Sequence, residues 1–131
     1  MDFLERMKIY IETNVLPGQK IEVGAVKDGN SIAISPTPGI QPNKDLNLGR
    51  HYTFPFQILV RHSYSLTGYT TCQRIADHLD TLTNGAVTSS DGSFIFVNCG
   101  VYVTPNFVER TAQGDLYTAL FQAELYITRS E

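Results

Sequence analysis

Two hydrophobic periods alternate along this chain. Phe3, Leu4, Met7, Tyr10 and Ile11 recur at helical spacing and predict an amphipathic helix. Asp2 stands at the cap position with Glu5 three residues on, the spacing of a capping box. Pro17-Gly18 stops the segment. In "KIEVGAV" the period drops to two, with Ile21, Val23 and Ala25 on one side. Asp28-Gly29 is a hairpin turn signal, and "SIAIS" reads as the returning strand. The expectation is a β-hairpin over residues 20–35.

Residues 36–51, "PTPGIQPNKDLNLGRH", show no period and hold three prolines, two glycines and two asparagines. A structureless stretch of that length inside a compact domain is usually functional or disordered. Pro38, Gly39, Asn43, Lys44, Asn47, Leu48 and Arg50 are its candidate docking residues. "YTFPFQILVRH" returns to strand character, with Phe54, Phe56, Ile58 and Val60 on one face. Pro55 cannot donate to a ladder, so it marks a strand start, an edge or a bulge.

After a polar connector over 63–69, "TTCQRIADHLDTLTNG" predicts a second helix over 70–85, closed by Asn84-Gly85. "FIFVNCGVYV" alternates, putting Ile95, Val97, Cys99, Val101 and Val103 on one apolar face. Pro105 interrupts, and "NFVER" continues the strand after a bulge. "LYTALFQAELYITR" fits a helix poorly, because large residues would surround the axis. At period two, Tyr117, Ala119, Phe121, Ala123, Leu125 and Ile127 are all apolar. This predicts a strand, hairpin-paired with the one before it. The expected fold is α+β: a single domain over 1–131 with a mostly antiparallel sheet and two helices packed on it.

At 131 residues the chain can bury one core without a disulfide or metal staple. A net charge of −3, with Lys plus Arg numbering 10, argues against a protein that grips a nucleic-acid backbone. "MDFLERMKIYIETN" has no apolar run of the secretory kind, and no stretch approaches a membrane span. Reduced thiols in a cytosol are therefore expected for Cys72 and Cys99.

Cys72, His78 and Asp80 lie within nine positions and invite a catalytic reading. On a helix, His78 points about 120° from Cys72, and Asp80 about 80° and two turns away. Neither can activate the thiol directly; a partner such as His62 could, and the place of Cys72 near the predicted helix N-terminus favours a thiolate. Cys72 joins Ile75, Ala76, Leu79 and Leu82 on the apolar stripe, where a free cysteine is a small hydrophobe. Cys99, between Val97 and Val101, reads the same way. His51, His62 and His78 are scattered singly and expected on surfaces or loops, without metal-ligand spacing. Asp77 and Asp80 read as a solvated face. No phosphate-loop or nucleophile-elbow motif occurs. The expectation is no catalytic residue, no metal and no cofactor.

The layout, in which an N-terminal helix leads into a hairpin, resembles the minor capsid and tail-terminator, or tail-to-head joining, proteins of long-tailed phages and prophages. "ISPTPGIQPNKDLNLGRHYTFPFQILVRHS" is similar to that family's passage from a Pro-containing loop to an "F-x-I-x-V-R/K" strand. "CQRIADHLDTL" is similar to its following helix, and "VTPNFVERTAQGDLYTALFQAELYITR" to its closing strand pair. The connector 63–69, rich in Tyr and Ser, departs from the pattern. The resemblance implies a non-enzymatic virion protein, assembled in the bacterial host cytoplasm as a homo-oligomeric ring, a hexamer. It would contact the tail tube protein and the head connector or stopper, with DNA only passing through the pore and no membrane partner. Other minor capsid or tail completion proteins, or an assembly factor, are the alternative, and a small cysteine-dependent enzyme is the remote one.

Overall fold

In a computed structural model, which describes residues 2–37 and 50–127 and only the backbone of 50 and 51, the chain forms one five-stranded sheet with two helices. The elements in order are α1 (Phe3–Tyr10), a π-helical turn (Ile11–Val15), β1 (Ile21–Val23), β2 (Ser31–Pro36), β3 (Arg50–His62), α2 (Ser65–Leu79), β4 (Phe94–Thr111) and β5 (Gly114–Ile127). The strand order is β1-β2-β3-β5-β4. Every neighbouring pair is antiparallel except β1–β2. The fold is α+β, with both helices on one sheet face.

The π turn follows from which residues must face inward. Phe3, Met7, Ile11 and Val15 are all buried, each four residues from the last. In an α-helix that spacing drifts about 40° per step. The Leu16 N–H bonds Ile11 O at 3.0 Å, widening the last turn and keeping Val15 inward.

The expected hairpin over 20–35 is not formed. β1 and β2 run parallel, pairing Ile21 with Ile32 and Val23 with Ile34. The chain turns immediately after Val23, where the Gly24 N–H bonds Ile34 O at 2.8 Å. A three-residue strand needs only a short return, so residues 24–30 suffice to carry the chain back to its start. The Asp28-Gly29 turn lies inside that return and is pinned elsewhere. The Gly29 N–H donates to the Gln113 side chain, and Asn30 Oδ1 accepts the Ser63 N–H at 2.8 Å.

β3 is the long spine of the sheet, paired with β5 from Arg50↔Ile127 to His62↔Asp115. The expected loop over 36–51 is therefore shorter at both ends, because Pro36 belongs to β2, and Arg50 and His51 to β3. Pro55 sits within β3. Its carbonyl accepts the Thr37 N–H at 3.2 Å, so its missing N–H faces the flank where β2 has ended. Local edge character is what makes proline tolerable there.

α2 begins at Ser65, so the connector is mostly helix. Gly68 allows this: a Cβ there would lie 3.1 Å from His62 Cβ and 3.3 Å from the Tyr117 ring. The helix ends at Leu79, short of Asn84-Gly85. Gly85 (φ 81) instead takes part in the following turn, its N–H bonding Phe96 O at 2.8 Å.

β5 lies as its period-two pattern predicts, with Tyr117, Ala119, Phe121, Ala123 and Leu125 buried. β4 differs from its expected face. Phe94 and Phe96 point inward while Ile95 is 49% exposed. A register shift between Phe96 and Asn98 then flips the phase, so Cys99 is buried. Further shifts bracket Pro105, and the strand continues through "NFVER" as expected. Phe3 holds the centre of the core, its ring 5.0 Å from Phe54 and 5.6 Å from both Phe56 and Phe94.

Candidate functional site

The cysteine–histidine–aspartate cluster comes apart on α2. Cys72, Ile75, Ala76 and Leu79 are fully buried or nearly so, with Leu82 just beyond them. Cys72 stands mid-helix, because α2 starts seven residues earlier, so it has no helix N-terminus to favour a thiolate. Burial pushes its thiol up to about 12. Burial, joined by the charge of Asp80, does the same to Cys99. Both are therefore thiols at neutral pH, packed as apolar residues.

The histidines and acids of this stretch make structural contacts. His78 Nε2 lies 3.0 Å from Tyr10 Oη, joining α2 to α1. This half-buried, partnered His78 departs from the expected free surface position. His62 Nδ1 accepts the Tyr64 N–H at 3.0 Å at the entry to α2. Asp77 accepts from Gln73 Nε2 at 2.8 Å along the helix. Asp80 Oδ1 accepts the backbone N–H of Val101 at 3.0 Å, so it caps a strand as well as facing solvent. Among the described residues, no three of His, Cys, Asp and Glu gather into a group that could hold a metal.

The expected capping box at α1 is not made either. Asp2 has no side-chain bond to its own helix. Its carboxylate instead accepts from the Ser89 hydroxyl at 2.9 Å, the Ser90 N–H at 2.9 Å and the Ser90 hydroxyl at 2.6 Å. Burial alone would raise the Asp2 pKa, but these donors outweigh it and hold the carboxyl below its ordinary value. Arg6 Nε adds a bond to Thr88 O at 2.6 Å, so the loop 88–93 is clasped to the start of α1.

A second polar cluster sits where β4 and β5 turn. Arg110 Nε lies 3.0 Å from Asp115 Oδ1, and this hydrogen bond, with a further one from Ser65, holds the Asp115 carboxyl low. The Ser65 hydroxyl also bonds the Tyr117 hydroxyl. Tyr117 in turn meets the rings of Tyr69 at 5.9 Å and Phe107 at 5.7 Å. The cluster ties the start of α2 to the tip of the hairpin.

Around that cluster the surface is apolar. Tyr64, Leu66 and Tyr69 are exposed at the start of α2, and Tyr102, Val103, Phe107 and Val108 along the distal half of β4. Tyr69 and Phe107 come together on the helix side of the sheet, both against Tyr117, and exposed large apolar side chains that cluster mark a place that other molecules cover. The sequence hid Tyr64, Leu66 and Tyr69 because 63–69 read as a connector, and Val103 because β4's odd positions up to 103 read as core. The groove beside them, about 570 Å³, follows the solvent side of α2 past Gln73, Arg74 and Asp77.

Of the residues named from sequence as a docking surface, Pro38, Gly39, Asn43, Lys44, Asn47 and Leu48 lie outside the described residues. Arg50 opens β3 opposite Ile127, and only its backbone is described. Within the described residues, no helix is long and apolar enough to cross a membrane.

No family model matches the chain, and no curated protein matches it. One solved structure aligns over 98% of this chain and 93% of its own, at 15% identity and a TM-score of 0.46. A likeness of that degree carries no argument about function.

Proposed function

We propose that this chain is a structural virion protein that caps the phage tail tube and joins tail to head connector, working as a homo-oligomeric ring of six copies. The observation that carries this reading is the set of exposed apolar side chains at the start of α2 and on distal β4, among which Tyr69 and Phe107 both meet the ring of Tyr117. A subunit that closes a ring by rotation needs surface of this kind covered by its neighbour. The run from β3 through α2 to the β4–β5 hairpin also supports it, as does the α+β fold class, while the early hairpin of the resemblance is replaced by a parallel pair. The negative net charge suits a pore wall along which DNA slides without sticking. A cysteine-dependent enzyme draws no support from Cys72, a fully buried thiol.

The test is to mix the purified chain with assembled tail tubes and follow sedimentation and electron micrographs. Rings at tube ends, with tube growth arrested, are expected. A chain that stays monomeric beside the tubes and leaves their growth unchanged refutes the proposal. The docking role of residues 38–49 is tested by substituting a Gly/Ser segment of equal length. Plain deletion would not close, because Thr37 lies beside Pro55, five residues or about 17 Å along β3 from Arg50. The substituted chain is expected to fold and to lose head joining, and retained joining removes these residues from the docking surface.

A further inference from the structure

A sheet edge presents unpaired N–H and C=O groups to any passing strand, and proteins manage that hazard explicitly. This sheet has two edges, β1 and β4. On β1, the Ile21 N–H faces outward, because alternate residues bond β2, and Glu12 Oε2 accepts it at 2.8 Å. Lys8 holds that carboxylate in place at 3.1 Å. On β4, Thr88 bridges Ile95 and the Gly85 N–H bonds Phe96 O, covering the first stretch. Register shifts, Pro105 and a bond from Asn106 Nδ2 to Thr104 O break up the last stretch. Between them runs one regular ladder, Asn98↔Glu124 to Val101↔Phe121. Among the described residues, Asp80 is the one whose side chain bonds its outer side, at the Val101 N–H.

We propose that Asp80 is an autoinhibitory guard of the β4 edge, and that without it Asn98–Val101 pairs antiparallel with the same stretch of a second copy. The position of Asp80 supports this. It is the C-cap of α2, where a negative charge opposes the helix dipole, so the helix itself gains nothing from an acid there. The occupant follows from the sheet. The other edge is three residues long and closed by Glu12, so the edge available to an opened β4 is another β4. Such a contact is two-fold and self-complementary. This inference stands apart from the tail-joining proposal and holds for the free chain.

Sedimentation of the full chain over a range of concentrations tests it. Asp80→Ala is expected to keep the wild-type circular dichroism and to reach twice the wild-type mass as concentration rises. Asp80→Asn, whose amide oxygen still accepts the Val101 N–H, and Asp77→Ala, on the same helix side, are expected to match wild type. An Asp80→Ala chain with wild-type mass throughout overturns the proposal, as does an Asp80→Asn or Asp77→Ala chain that doubles. If Asp80→Ala does not fold, amide exchange in the wild-type protein decides. Protection of the Val101 N–H by about tenfold or more over the free-chain rate is expected, and exchange at the free-chain rate overturns the guard.

Discussion

Tyr10 Oη and His78 Nε2 stand 3.0 Å apart and are the polar link between α1 and α2, with the two rings tilted at 5.7 Å. Residues 68 positions apart in sequence are thus joined by the histidine that suggested a catalytic base. Tyr10→Phe is expected to cost about 1 kcal/mol of stability, the net worth of one part-buried hydrogen bond. Urea unfolding of Tyr10→Phe, His78→Phe and the double variant measures the coupling. Fully additive losses would show that the two side chains do not interact.

Gly114 and Gly18 both have positive φ, at 131° and 86°, yet they should respond differently to alanine. A Cβ at Gly114 would stand 2.5 Å from His62 O, whereas nothing lies within 4 Å at Gly18. Gly18→Ala is expected to cost about 1 kcal/mol of backbone strain. Gly114→Ala is expected to cost at least about 3 kcal/mol, because β3 and the hairpin must also separate. Thermal or denaturant unfolding of the pair compares them directly.

The Asp2 clasp predicts an acid-sensitive component of stability. Its folded pKa is depressed, so its contribution is present above the unfolded value near 3.8 and is lost as pH falls through the folded value. Asp2→Asn is expected to be less stable than wild type near neutral pH and to lose less on acidification. Unfolding midpoints measured from about pH 6 down to about pH 2.5 report the slope. Parallel curves for the two proteins would remove Asp2 from the account.

Both thiols should resist modification while the chain is folded. A thiol titrating near 12 and closed from solvent offers almost no thiolate at about pH 8. Disulfide-exchange reagents are expected to label neither Cys72 nor Cys99 in buffer and both in denaturant. Rapid labelling of Cys72 in the native chain would reopen the nucleophile question.

What the sequence disclosed and what it hid follow from the range of each force. β5 was legible because an unbroken inward set of six apolar residues leaves only one face to bury. The inner stripe of α2 was legible for the same reason. The phase of the start of β4 was not, because an extra residue near Val97 sets Phe94 and Phe96 out of step with Cys99, and no local residue type announces that shift or the later ones. The parallel β1–β2 pair was hidden because Asp28-Gly29 does bend the chain, but Gly29 bonds Gln113 and the adjacent Asn30 bonds Ser63 rather than closing a hairpin. The start of α2 was missed because Gly68, a poor helix residue, is required by the closeness of Tyr117 and His62. His78 and Asp80 were read as surface residues and their contacts were hidden, since Tyr10 and Val101 are 68 and 21 positions from them.

The position of β5 has a consequence for how the chain comes into being. It is the last strand in chain order, yet it lies between β3 and β4 and pairs with both. Until it is synthesised, β3 lacks its longest neighbour and β4 has no partner strand in the sheet. The helices then have no continuous surface to settle on. Completion of the sheet therefore waits on β5, whichever part of the chain orders first. Until it pairs, β3 and β4 keep strand edges that the finished sheet hides, and any partly folded form carries that hazard.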